Sequence, residues 1–194
     1  MKTFGLTGGL GMGKSAAAEI LRDQGVPVVD TDELARQLVQ PGEPALAEIQ
    51  NAFGQEILAP DGHLRRAELA RIVFADAAER EKLEAILHPR IRAAWLARIE
   101  SWRKDNRPLA VVVIPLLFET RAETFFDKII CVACSAASQH QRLQARGWDE
   151  EQIRQRTAAQ WPVATKIARA DFVVWTEGTL AVHRQQLEQI LKKL

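Results

Sequence analysis

Five short apolar runs punctuate the chain: Thr3–Leu6, Pro27–Val29, Leu109–Ile114, Ile129–Ala133 and Phe172–Val174. Most are rich in Val or Ile, and longer stretches with helical spacing separate them. Strands that alternate with helices predict a parallel sheet covered on both faces. The expected fold class is therefore α/β, a five-stranded parallel sheet with helices on both faces. At the C-terminus, Leu180, Leu187, Ile190, Leu191 and Leu194 fall on one helical stripe, which predicts a last helix packed on the core.

The connections between the runs are unequal. Between Val29 and Leu109 lie about 80 residues with several helical patterns and no strand, far beyond a usual crossover, so a helical subdomain is expected there. Pro41-Gly42 and Pro60-Asp61-Gly62 mark turns within it. The spacing of Leu83, Ile86 and Leu87 predicts one helix, and Pro89 at a first helical turn opens another through Ile91, Trp95 and Ile99. The second long connection, Ala133 to Phe172, reads as two polar helices rich in Arg and Gln, Ser138–Arg146 and Asp149–Gln160, split at Gly147. They hold little to bury, which suits a mobile lid.

Candidate chemistry begins directly after the first run. Gly8, Gly13, Lys14 and Ser15 give two glycines five apart followed by Lys and Ser, between a predicted strand and a helix starting near Ser15. Glycines let several backbone N–H groups converge on phosphate oxygens, and the helix start adds its partial positive charge. Lys14 serves the β- and γ-phosphates, and the Ser15 hydroxyl is a ligand for Mg²⁺. ATP and Mg²⁺ are thus the expected cofactors, although such a loop is shared by kinases, motor ATPases and switch GTPases. Motors and switches usually end an apolar strand in a magnesium-binding Asp, whereas Ala110–Ile114 ends in Pro115, and there is no Asn-Lys-x-Asp signature.

The second run instead ends in Asp30-Thr31-Asp32. On an extended segment these carboxylates share a face and point to the crevice at the carboxyl ends of the strands, one toward the magnesium shell (Asp30) and one toward an acceptor hydroxyl (Asp32). Asp30 followed by Glu33 also has the spacing of a capping box, and both readings stay open.

Composition and charge narrow the partners. The 194 residues are 47% hydrophobic and 26% charged with a formal net charge of +1, and no sustained basic run points to nucleic acid. No signal-peptide pattern and no run of 18 apolar residues occurs, so a cytoplasmic protein without a membrane anchor is expected. Cys131 and Cys134 read as buried, reduced thiols on a strand, and the four His have no metal-like spacing. A monomer or weak homo-oligomer is expected.

Taken in order, Leu6 to Ser15, Val29-Asp30-Thr31-Asp32, His88-Pro89 with Ile91, Pro115-Leu116-Leu117-Phe118-Glu119, Gln139 with Arg142 and Arg146, Gln160 and Ala170-Asp171 closely resemble the dephospho-CoA kinase family. The resemblance covers nearly the whole chain. It implies a P-loop kinase fold and transfer of the ATP γ-phosphate to the ribose 3′-hydroxyl of dephospho-CoA, the final step of coenzyme A synthesis. It also implies three parts: a nucleotide-binding core (1–31, 108–138 and 166–194), a helical substrate domain for CoA (32–107) and a lid (139–165). Gly11, Met12, Gly13, Lys14, Ser15 and Ala16 would surround the ATP phosphates, with Asp32, Lys14 and Arg142 catalytic. Asp32, His88, Pro115 and Leu116 would lie on the substrate side. His88 reads equally as a capping or packing residue, and Arg146 shares the helix face of Arg142. Two positions depart from the family pattern: Ala16 replaces a frequent Thr, and Thr176-Glu177-Gly178 replaces an Asn-Asn-Gly turn.

Overall fold

In the computed structural model, which describes residues 1–193, each apolar run is a strand: β1 (Lys2–Gly8), β2 (Val28–Asp30), β3 (Leu109–Val113), β4 (Lys128–Ala133) and β5 (Phe172–Trp175). They pair in parallel in the order β2-β3-β1-β4-β5. Every residue of β3 is buried, and β1 exposes only Lys2. A parallel strand covered on both faces favours apolar residues throughout, which is why these runs stand out in the sequence. The helices are α1 (Lys14–Asp23), α2 (Thr31–Leu38), α3 (Pro44–Phe53), α4 (Arg66–Ala75), α5 (Ala77–Lys104), α6 (Ala136–Gln144), α7 (Glu150–Ala158), α8 (Val163–Arg169) and α9 (Leu180–Leu191).

The chain forms two compact units, one of Met1–Asp30 with everything from Ser101 onward, the other of Thr31–Glu100. In the first, Phe4, Leu6, Val111, Val113, Ile130 and Val132 pack on Ala17, Ala18 and Leu21 of α1 and on Leu187 and Ile190 of α9. Helix α8 contacts β1 and β4 on the opposite face. There Gly5 leaves room for the β3–β4 connection, since a Cβ would meet Leu117 Cδ1 at 2.5 Å. In the second unit Val39, Leu46, Ile49, Ile57, Leu69 and Val73 form a separate core, flanked by Leu83, Ile86 and Leu87 of α5. Pro60-Asp61-Gly62 turns as expected, with Gly62 at φ +81° and its N–H donating to Ala59 O at 2.9 Å.

Several elements differ from expectation. No helix starts at Pro89: α5 runs through it. Proline removes a backbone donor from a helix interior and obstructs the turn before it. Here the Arg90 guanidinium donates to Ile86 O at 2.6 Å, in that turn, and also pairs with Glu48. Leu180 is 68% exposed at the start of α9, so the core stripe reduces to Leu187 and Ile190 with part-buried Leu191; Leu194 lies outside the described residues. Helices α6 and α7 do bury one apolar residue each, Leu143 and Ile153. Asp32 is not extended but sits in the first turn of α2, so the shared-face argument for Asp30 and Asp32 does not apply. Helix α8 is an addition to the two helices expected between Ala133 and Phe172.

Candidate active site

Strand β1 ends at Gly8, and the loop that follows leads into α1, whose N-cap is Gly13 at φ +94°. That left-handed conformation is strained for residues with a Cβ, and a Cβ on Gly13 would also meet Thr176 Cγ2 at 3.0 Å. At Gly8 the limit is proximity, because a Cβ would lie 2.3 Å from Val132 O on β4. The Lys14 ammonium donates to Gly8 O and Gly9 O, each at 2.9 Å, which fixes it at the start of the loop. Ser15 is exposed in the first turn of α1.

The loop is held from outside by residues distant in sequence. Gln139 of α6 donates to Leu10 O at 2.7 Å. The buried Thr176 hydroxyl lies 3.0 Å from Met12 O and 3.3 Å from Ala133 O, and accepts from Arg142 Nη1 at 2.9 Å. Arg142 Nη2 donates to Thr176 O at 2.5 Å, so the guanidinium clamps the turn after β5 by both forks. In the same turn Glu177 accepts from Ser135 N–H at 2.5 Å and Ser138 Oγ at 2.7 Å. These bonds, the Ser135 N–H first, push its carboxyl down to about 2, with Arg142 adding to them.

Two cavities flank the loop. One of about 260 Å³ is lined by Gly11, Gly13, Ala16, Arg142, Thr176 and His183. His183 is buried, and burial with the nearby Arg142 lowers its pKa, which favours the neutral imidazole. The other, of about 680 Å³, is lined by Gly9, Met12, Gln139, Ile153, Trp161 and Val163 among others.

Asp30 ends β2, paired with Val113, and Pro115 and Leu116 follow β3, so all three lie at the carboxyl edge of the sheet with the loop. Asp32 and His88 belong to the other unit: Asp32 is exposed, and His88 is half-buried in the interior of α5, one residue before Pro89. Arg146 lines the smaller cavity with Arg142. Among the described residues no three His, Cys, Asp or Glu side chains group as a metal cage. A magnesium ion carried by phosphates needs only one or two protein oxygens and keeps several waters, and the Ser15 hydroxyl and Asp30 carboxylate are hard oxygen donors of that kind. Both cysteines are buried and free, and burial pushes the Cys131 thiol up to about 11 against the pull of Lys166 and Lys14.

Sequence reasoning missed Thr176, Glu177, His183 and Lys166. Thr176 and Glu177 were visible only as a departure from a family pattern, and the other two carry no local signal.

The glycine-shaped loop, with the Lys14 ammonium at its start and the Arg142 guanidinium clamped beside it, has the form of a phosphate cradle. The model of the dephospho-CoA kinase family matches residues 2–181. The chain belongs to the dephospho-CoA kinase family. It is 44% identical over 192 residues to a dephospho-CoA kinase of Geobacillus kaustophilus, a match covering 98% of this chain and 96% of that protein. A crystal structure of a Thermus thermophilus protein matches it with a TM-score of 0.83 at 34% identity, over 100% of this chain and 97% of the other. The structure of a dephospho-CoA kinase from Campylobacter jejuni matches with a TM-score of 0.72 at 26% identity, over the same shares. The fold is that of the P-loop kinases, and no described helix is long and apolar enough to cross a membrane.

Proposed function

We propose that this chain transfers the γ-phosphate of ATP to the ribose 3′-hydroxyl of dephospho-CoA, giving coenzyme A and ADP. The observation that carries this is the family match over residues 2–181, which spans the phosphate loop, the Arg142 clamp and the whole Thr31–Glu100 unit together. Phosphoryl transfer asks the protein for positioning and charge neutralisation more than for covalent chemistry. The backbone of Gly11 to Ala16 cradles the phosphates, and Lys14 leaves the Gly8 and Gly9 carbonyls for the β- and γ-phosphates. Ser15 and Asp30 would hold Mg²⁺, which when bound neutralises phosphate charge. Arg142, now spent on Thr176, becomes a donor to the transferring group once a nucleotide competes for it. The smaller cavity, with Thr176 and a neutral His183, suits the base end of ATP.

Asp32 orients the acceptor hydroxyl and accepts its proton late in the reaction. His88, Pro115 and Leu116 serve the acceptor, with residues 32–107 as its domain and 139–165 as a lid. Following ADP release from Mg-ATP with dephospho-CoA, with AMP and without acceptor tests the proposal. Release that depends on dephospho-CoA is expected; release indifferent to it would overturn the assignment.

A further inference from the structure

Lys166 is fully buried, a rare place for an ammonium. Its Nζ donates to Pro115 O at 2.6 Å and pairs with Glu119 Oε1 at 2.8 Å. The same carboxylate oxygen accepts the Trp161 backbone N–H at 2.8 Å, while Oε2 is buried with no hydrogen-bond partner. Two stretches more than 40 positions apart therefore converge on two charges: the turn after β3 on one side, and α8 with the junction that leads into it on the other. Pro115 O has a second donor, Thr7 Oγ1 at 3.2 Å, and Thr7 immediately precedes the first glycine of the phosphate loop.

Stability accounts poorly for such a pair. Desolvating both ions is costly, one carboxylate oxygen stays unsatisfied, and apolar side chains of similar volume commonly replace buried pairs without loss. What the pair supplies is geometry. The Lys14 ammonium at Gly8 and Gly9 marks the γ-phosphate end of the loop, and Gly9 also borders the larger cavity, whose wall includes Trp161. Through Thr7, the Pro115 turn is tied to that same end. Trp161 is fixed on its other sides as well, stacked on Phe118 at 6.3 Å and 8° with the Arg169 guanidinium 5.3 Å from its ring centre.

We infer that Lys166 and Glu119 are positioning residues for phosphoryl transfer, holding the Pro115 turn and the Trp161 wall in register with the γ end of the phosphate loop, where the acceptor approaches. This rests on the acceptor-dependent kinase activity proposed above. Neither residue touches a reacting atom; both act through Pro115 and Trp161. The acceptor step should therefore suffer when the pair is lost, while ATP binding at Gly13, Ala16 and Thr176 does not.

Lys166→Met alone strands a buried carboxylate and is expected to lower thermal stability. The Lys166→Met/Glu119→Gln double variant removes both charges and keeps an acceptor for the Trp161 N–H. In that variant kcat/KM for dephospho-CoA is expected to fall at least tenfold, with the Kd for an unreactive ATP analogue within twofold of wild type. Wild-type constants in the folded double variant, or a parallel loss of nucleotide affinity, would overturn the inference. Should the double variant not fold, the nearly isosteric Glu119→Gln decides: at least a threefold loss confined to dephospho-CoA supports the inference, and any other outcome overturns it. Wild-type ADP release indifferent to dephospho-CoA would instead sink the kinase assignment itself, which separates the two failures.

Discussion

Gly13 carries two constraints at once, a left-handed backbone and the Thr176 side chain against it. Replacing it with Ala costs about 1–2 kcal/mol in backbone strain alone and also pushes Thr176 away from Met12 O. Titration calorimetry of Gly13→Ala is expected to show ATP affinity reduced about tenfold or more, since 1.4 kcal/mol is a factor of ten and the donors are displaced as well. Asp32 gives the complementary prediction. Asp32→Asn should lower turnover about a hundredfold or more while ATP binding survives, because a proton acceptor contributes on that order to the chemical step and nothing to the nucleotide. Near-normal turnover would remove Asp32 from the role. At this scale the loop was legible because its glycines, lysine and serine act through backbone conformation and local order. Thr176 and Lys166 were not, since each works through partners more than 30 positions away and nothing in their neighbours betrays it.

Among elements, the Glu177 carboxylate links the turn after β5 to the first turn of α6 through Ser135 and Ser138. Folding lowers its pKa from 4.5 to about 2, so the folded state favours the ionised form. Its stabilising contribution is therefore present above pH 4.5 and is lost as pH falls from there through about 2. Glu177→Gln is expected to melt below the wild type at neutral pH, with the gap narrowing across that acid window; a gap that stays constant would contradict the linkage. The inner strands β1, β3 and β4 were legible because burial on both faces forces continuous apolar runs. Pro89 misled because a proline marks a helix start by default, and only the fold of α5, with the Arg90 side chain at the Ile86 carbonyl, shows a helix continuing through it. Helix α8 was hidden for a related reason: its buried residue is Lys166, which reads as a surface charge.

For the whole molecule, the phosphate loop, the Arg142 clamp and the two flanking cavities all lie in one compact unit, while Asp32 and His88 come from the other. The triphosphate site is readable from one compact motif, whereas the residues expected to serve the acceptor, Asp32 and His88 of one unit and Pro115 and Leu116 of the other, are scattered along the sequence. The fold class followed from periodicity, but the acceptor was suggested only by the ordered set of motifs from Gly8 to Asp171. The most direct test of the central claim is the position of the transferred phosphate, read by phosphorus NMR on the product formed from Mg-ATP and dephospho-CoA. A new phosphomonoester coupled to the ribose H3′ is expected. Free phosphate alone, or a phosphoryl group at any other position, would contradict it.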